Sequence, residues 1–191
     1  MSISTAVILG LIVLTLVYGV LIYNGLINLK HNVAKAWANI DVLLKQRHDE
    51  LPKLVEVCRQ YKQFEQTTLA RVTEARARVA AAREAHDVGA LGAAEGLLRS
   101  GLGQIFAVAE AYPELKANEH FMQLQTRITA LENGIADRRE WYNEAVNVHN
   151  VRIEQFPDLL VARLFAFVGQ PLLQFSTAEK ADVDIKTLFK A

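Results

Sequence analysis

Residues Ile3 to Tyr23 form one uninterrupted apolar run, which passes without a break into a charged, helix-patterned stretch beginning Asn24-Gly25-Leu26. Coiled as a helix, about 20 apolar residues match the hydrocarbon thickness of a bilayer. A cleaved secretory signal would show a basic start, a shorter apolar core and a small-x-small cleavage site. Here no Lys or Arg precedes the run, and Asn24-Gly25-Leu26 follows it. We therefore expect an uncleaved transmembrane anchor over residues 1–23, carried by Ile3, Leu9, Leu14, Tyr18 and Tyr23. The two tyrosines suit an aromatic belt near one membrane interface.

Flanking charge gives an orientation. No basic side chain precedes the span, whereas Lys30, Lys35, Lys45 and Arg47 follow it. The positive-inside rule then places a short N-terminus outside and the large C-terminal part in the cytoplasm. The anchor apart, about 168 residues remain, enough for one domain with its own core. Lys plus Arg and Asp plus Glu both total 21, and a net charge of zero argues against a general nucleic-acid binder. The single cysteine, Cys58, excludes an intramolecular disulfide and a cysteine-cluster metal site, and its apolar surroundings read as a buried, inert thiol.

Beyond the anchor, Leu26, Leu29, Val33, Trp37, Ile40, Leu44, Leu51, Val55 and Cys58 recur in helical steps and form one stripe, on which His48 also falls. The stripe stays in phase past Pro52, which favours one long, kinked helix over a break. A second helix fits Phe64 to His86, and a third Ala90 to Ala111, weakened by Gly89, Gly92, Gly96, Gly101 and Gly103. Tyr112-Pro113 marks a stop. A second long pattern runs from about Asn118 to Phe156 through Phe121, Leu124, Ile128, Leu131, Ile135, Tyr142, Val146 and Ile153. Phe156-Pro157-Asp158 then opens a further helix. No strand-like alternation persists. The fold class is all-α, with the transmembrane helix continuing into a long antiparallel up-down bundle. We expect the four-helix bundle over 24–156, and a short apolar helix and tail near the membrane over 157–191.

The two outer helices each have about 38 extramembrane residues, roughly 57 Å, against roughly 33 Å for the two inner ones. Four helices can share a core over only part of that length. Near the membrane the first and last helices would run as a pair, with apolar flanks left for a neighbouring subunit or partner.

Several segments resemble the LemA family. They are Tyr23-Asn24-Gly25-Leu26, Ala36-Trp37-Ala38-Asn39-Ile40-Asp41-Val42 and Lys45-Gln46-Arg47-His48-Asp49-Glu50-Leu51-Pro52-Lys53-Leu54-Val55. Downstream, Tyr112-Pro113-Glu114-Leu115-Lys116-Ala117-Asn118, Leu131-Glu132-Asn133-Gly134-Ile135-Ala136, Tyr142-Asn143-Glu144-Ala145-Val146-Asn147 and Phe156-Pro157-Asp158-Leu159-Leu160 match in order. The resemblance implies a single-pass protein of the bacterial inner membrane with a cytoplasmic helical bundle. It implies no established catalytic activity. A relative in magnetosome membranes points to membrane organisation. The family motif carries Tyr where His149 stands here, so a role for that tyrosine does not transfer.

Carboxylate-bridged metal pairs in bundles need Glu-x-x-His on two helices. Three residues before His31, His48, His86, His120 and His149 stand Asn28, Lys45, Arg83, Ala117 and Val146, so none qualifies. His-Glu-x-x-His, phosphate-loop and nucleophile-elbow motifs are absent too. We expect no cofactor, no metal and no catalytic residue. Antiparallel pairing sets His149 near residue 30, away from His48, and both read as hydrogen-bonded core histidines.

Asparagines are the less usual feature. Asn24, Asn28, Asn32 and Asn39 share one side of the first long helix, and Asn143, Asn147 and Asn150 one side of the last. Each set lies more than about 90° from its helix's apolar stripe. They read either as a solvated face or as amides that bond between the helices or between subunits, where they would set register. Lastly, residues 159–168 are apolar nearly all round and too short to span. Leu160, Leu164, Phe165 and Phe167 there either cap the bundle end or lie in the lipid interface. The reading is a non-enzymatic scaffold or interaction protein that self-associates at the bilayer surface, as a homo-oligomer or with another membrane protein. The alternatives are a ligand- or metal-binding sensor using His48, Asp49 and Glu50, or an accessory subunit of a membrane enzyme.

Overall fold

The computed structural model describes residues 2–61 and 65–174. Phe64, the expected start of the second helix, and residues 175–191 of the expected tail lie outside the described residues. Among the described residues there are six helices and no strand: α1 (Ile3–Arg59), α2 (Gln66–Glu84), α3 (Val88–Ala109), α4 (Pro113–Lys116), α5 (Glu119–Glu154) and α6 (Asp158–Leu164). The all-α reading holds.

Helix α1 runs for 57 residues, and its first part is long and apolar enough to cross a membrane. A helix satisfies its own backbone polar groups, as hydrocarbon requires. The helix continues through Pro52, which has no N–H to offer the carbonyl four residues earlier. That carbonyl belongs to His48, and the Arg76 Nε–H of α2 donates to it at 3.0 Å. The partner that proline withholds is supplied from a neighbouring helix.

The inner helices sit two residues from their expected places. Asp87 caps α3, its Oδ1 accepting from the Ala90 N–H at 2.9 Å, so α3 starts at Val88 and not Ala90. Its glycines act through packing. A Cβ at Gly101 would stand 2.8 Å from Val72 Cγ2 of α2, and one at Gly92 would stand 2.1 Å from the Gln174 carbonyl oxygen. Only a residue without a side chain lets these segments pass so close. Pro113 ends the preceding run as expected, but it also opens α4 at a position where its missing N–H costs nothing.

The chain divides into two compact units, Met1–Ile40 with Asp137–Leu172, and Asp41–Ala136 with Leu173–Ala191. In the first, Ile22, Leu26, Ile153 and Ala162 form a buried cluster, with Val161 and Phe167 packed on it. Val33, Tyr142 and Val146 are also buried, and Trp37 meets Tyr142 edge-on at 5.6 Å. In the second unit the core is Leu44, Leu51, Leu54, Cys58, Val72, Leu91, Leu98, Ile105, Phe121 and Ile128. Four long helices contribute here, α2 and α3 whole and α1 and α5 in part. Burial pushes the Cys58 thiol up to about 12, which leaves it inert at neutral pH.

Candidate functional site

Two polar constructions stand out, one in each unit. In the first unit the chain after α6 does not stay helical. Residues 167–172 run as a strap without helix or strand. Three α5 side chains fasten it. Tyr142 donates its hydroxyl proton to the Pro171 carbonyl at 3.0 Å, and burial keeps that phenol above its ordinary pKa. His149 Nε2 bonds the Val168 carbonyl at 3.1 Å. Asn150 donates to the Gln170 carbonyl at 2.9 Å and accepts from the Gln170 N–H at 2.8 Å. The start of α6 is held to α5 by Arg152 Nε and the buried Asp158 carboxylate, 2.6 Å apart.

The same unit contains the residues expected at the membrane. Ile3, Leu9, Leu14 and Tyr18 are exposed, while Tyr23 is half-buried against Phe165 at 4.7 Å and Phe167 at 6.0 Å. Helix α6 buries Asp158 and Ala162 and turns Leu160, 59 % exposed, and Leu164, 78 % exposed, outward. Phe156, Phe165 and Val168 are exposed beside them, whereas Phe167 packs inward. Of the asparagines, Asn24, Asn28, Asn32, Asn39 and Asn147 are exposed on the single chain, and Asn143 and Asn150 are half-buried. Asn150 serves the strap. His149 is buried and hydrogen-bonded, as expected of a core histidine, and lines a hollow with Lys30.

In the second unit Arg47 is fully buried on the apolar stripe of α1 and meets two carboxylates. One guanidinium nitrogen bonds Glu95 of α3, and another bonds Glu132 of α5 at 2.5 Å. Burial opposes the charge on Arg47, yet the two carboxylates outweigh it and hold its pKa above the ordinary value. Burial also pushes the Glu95 carboxyl above its ordinary value, further than Arg47 draws it down. Two carboxylates share one cation, so the more deeply buried one is under-compensated. Arg47 thus drops out of the surface charges that flank the anchor. It stands in helical phase between Leu44 and Leu51, and Glu95 between Leu91 and Leu98, so both were detectable as charges on an apolar stripe.

The trio His48, Asp49 and Glu50 does not converge. His48 Nε2 lies 2.6 Å from an Arg76 guanidinium nitrogen, and burial together with Arg76 holds its pKa below the ordinary value. Glu50 is paired with Lys53 at 3.0 Å and with Arg127 at 3.1 Å, and Asp49 is exposed. Successive helical residues point about 100° apart, which explains the divergence. Among the described residues no group of three or more His, Cys, Asp or Glu is placed to hold a metal ion.

Comparison with known proteins gives similarity to one family throughout. The LemA family model matches residues 36–187, leaving the apolar N-terminal run outside the match. The chain is 28% identical to Protein LemA of Metamycoplasma hominis, over 86% of this chain and 74% of that protein. It is 22% identical to Magnetosome protein MamQ 1 of Paramagnetospirillum magneticum, over 88% of this chain and 70% of the relative. Magnetosome protein MamQ of Magnetospirillum gryphiswaldense is 21% identical, over 76% and 62% respectively.

Proposed function

The chain belongs to the LemA family, and from that premise we propose that it is a non-enzymatic interaction protein, anchored by α1 and self-associating at the bilayer surface. Family membership and the long apolar helix fit a membrane-associated protein. The observation that carries the rest is the outer face of α5 in the first unit. There Trp141, Val148 and Val151 are exposed. At 100° per residue, Trp141 and Val148 lie within about 20° of each other and Val151 within about 80°, with Asn147 beside Val151. An exposed apolar stripe of this kind is how one helix docks on another. The face belongs to the unit that contains the anchor, so a second copy held in the same membrane meets it at raised local concentration.

Supporting the non-enzymatic reading, the one cysteine is buried and inert, the His48 ring bonds Arg76, and Glu50 is paired with Lys53 and Arg127. The exposed Asn24, Asn28, Asn32 and Asn39 are available for amide contacts between subunits. The exposed basic residues Lys30, Lys35 and Lys45 favour the orientation with the bundle in the cytoplasm of a bacterial inner membrane. The test is light scattering on the full chain in mild detergent. We expect more than one chain per particle, and a single chain for Val148→Asp/Val151→Asp. A monomeric wild-type protein would overturn the reading.

A further inference from the structure

At the end of the apolar span, the first unit encloses a hollow of about 260 Å³ lined by Tyr23, Lys30, His149, Phe165, Phe167 and Gln170, among others. We propose that this hollow holds the headgroup of a bilayer phospholipid that carries a hydrogen-bond donor. The inference rests on α1 crossing the bilayer, and not on self-association.

Height comes first. The run Ile3–Tyr23 rises roughly 30 Å as a helix, so Tyr23 comes at the edge of the hydrocarbon. Lys30 follows roughly 10 Å later, but helical side chains lean back toward the N-terminus, which returns its ammonium to the depth of lipid phosphates. Lys30 is exposed. Phe165, packed against Tyr23, and Val168 line the hollow and are exposed, and Leu160 and Leu164 of the same unit are exposed as well. Such side chains lie comfortably among headgroups and upper acyl chains.

His149 supplies the selectivity. Its Nε2 faces the Val168 carbonyl, which can only accept, so Nε2 carries the proton. In the neutral ring Nδ1 is then an acceptor. His149 is 1 % exposed and Nδ1 has no partner, which is costly for a buried polar atom. His149 lines the hollow, so a ligand donor pressed against its ring there would satisfy Nδ1. The ethanolamine ammonium of a phospholipid offers three such donors, while the quaternary ammonium of choline offers none. At about 260 Å³ the hollow has room for more than one water and for a small polar headgroup.

The full chain in detergent is titrated with phosphatidylethanolamine or phosphatidylcholine, and bound lipid is read by native mass spectrometry. We expect the ethanolamine lipid to bind about fivefold to tenfold tighter. His149→Phe should equalise the two, and Lys30→Gln should weaken both about threefold. Equal binding of the two lipids by the wild-type protein overturns the proposal. So does competition by millimolar inorganic phosphate, which would mark a free-anion site. Should His149→Phe fail to fold, Lys30→Gln still decides, because its side chain is exposed, and unchanged lipid retention there is contrary to the claim. Particle mass measured on the same samples separates a failure of lipid binding from a failure of self-association.

Discussion

Replacing Arg47 with methionine would leave Glu95 and Glu132 facing each other with no cation between them. Arg47 and Glu95 are almost fully buried, and Glu132 is only partly exposed. Removing one partner of a buried ion pair costs about 3–5 kcal/mol, because the remaining charge stays desolvated. For a chain of this size each kcal/mol moves the melting temperature by about 2–4 °C, so we expect a fall of roughly 6–20 °C at pH 8. The assay is the helical circular dichroism of the full chain in detergent during heating. The pH dependence carries the sign. The folded Glu95 carboxyl already sits above its ordinary 4.5 because of burial, and loss of Arg47 raises it further. A folded state that holds its proton more tightly than the unfolded chain keeps its full stability below the unfolded pKa and loses it as pH rises through the folded one. The Arg47→Met variant should therefore melt closer to wild type at pH 5 than at pH 8. Adding Glu95→Met should restore much of the loss, since well-packed apolar replacements of buried ion pairs are neutral or stabilising. A loss under about 1 kcal/mol that is flat with pH would refute this reasoning.

Three further outcomes follow from the packing. Arg76→Gln should cost about 1–3 kcal/mol by stranding the His48 carbonyl, and much less in a Pro52→Ala background, where the helix supplies its own N–H; thermal melts of the four proteins in a double-mutant cycle measure the coupling. Gly103 meets nothing within 4 Å, so Gly103→Ala should stabilise α3 by about 0.5–1 kcal/mol, raising the melting temperature. Gly92→Ala should do the reverse, because its Cβ would strike the Gln174 backbone, and hydrogen exchange in α3 should rise.

Much of the fold was legible because its cause is periodic. Leu26, Val33, Ile40, Leu44, Leu51 and Cys58 recur in helical steps, and all of them are buried. The apolar run announced itself by length alone. The positions that escaped are those whose cause lies in another segment. Arg47 was counted as a flanking surface charge, since its two carboxylates are 48 and 85 residues away along the chain. The strap could not be read from 159–168, because composition records apolarity but not which carbonyls Tyr142, His149 and Asn150 will bond. Asn150 was grouped with Asn143 and Asn147 by spacing, and spacing does not reveal that one of the three would fasten the strap. The glycines of α3 looked like weaknesses of a helix, whereas Gly92 and Gly101 mark where other segments cross it closely.

The central claim is that copies of this chain meet along the outer face of α5 in the membrane. Cys58 is buried with its thiol pushed to about 12, so a cysteine introduced elsewhere is the reactive one. Native membranes bearing the full chain with Val148→Cys, Val151→Cys or, as an exposed control on α2, Arg78→Cys are treated with a mild copper oxidant. A disulfide forms only where two Cβ atoms come within about 4 Å. The account predicts a covalent dimer for Val148→Cys and Val151→Cys and none for Arg78→Cys. Monomer at both α5 positions, or equal dimer at all three, would contradict it.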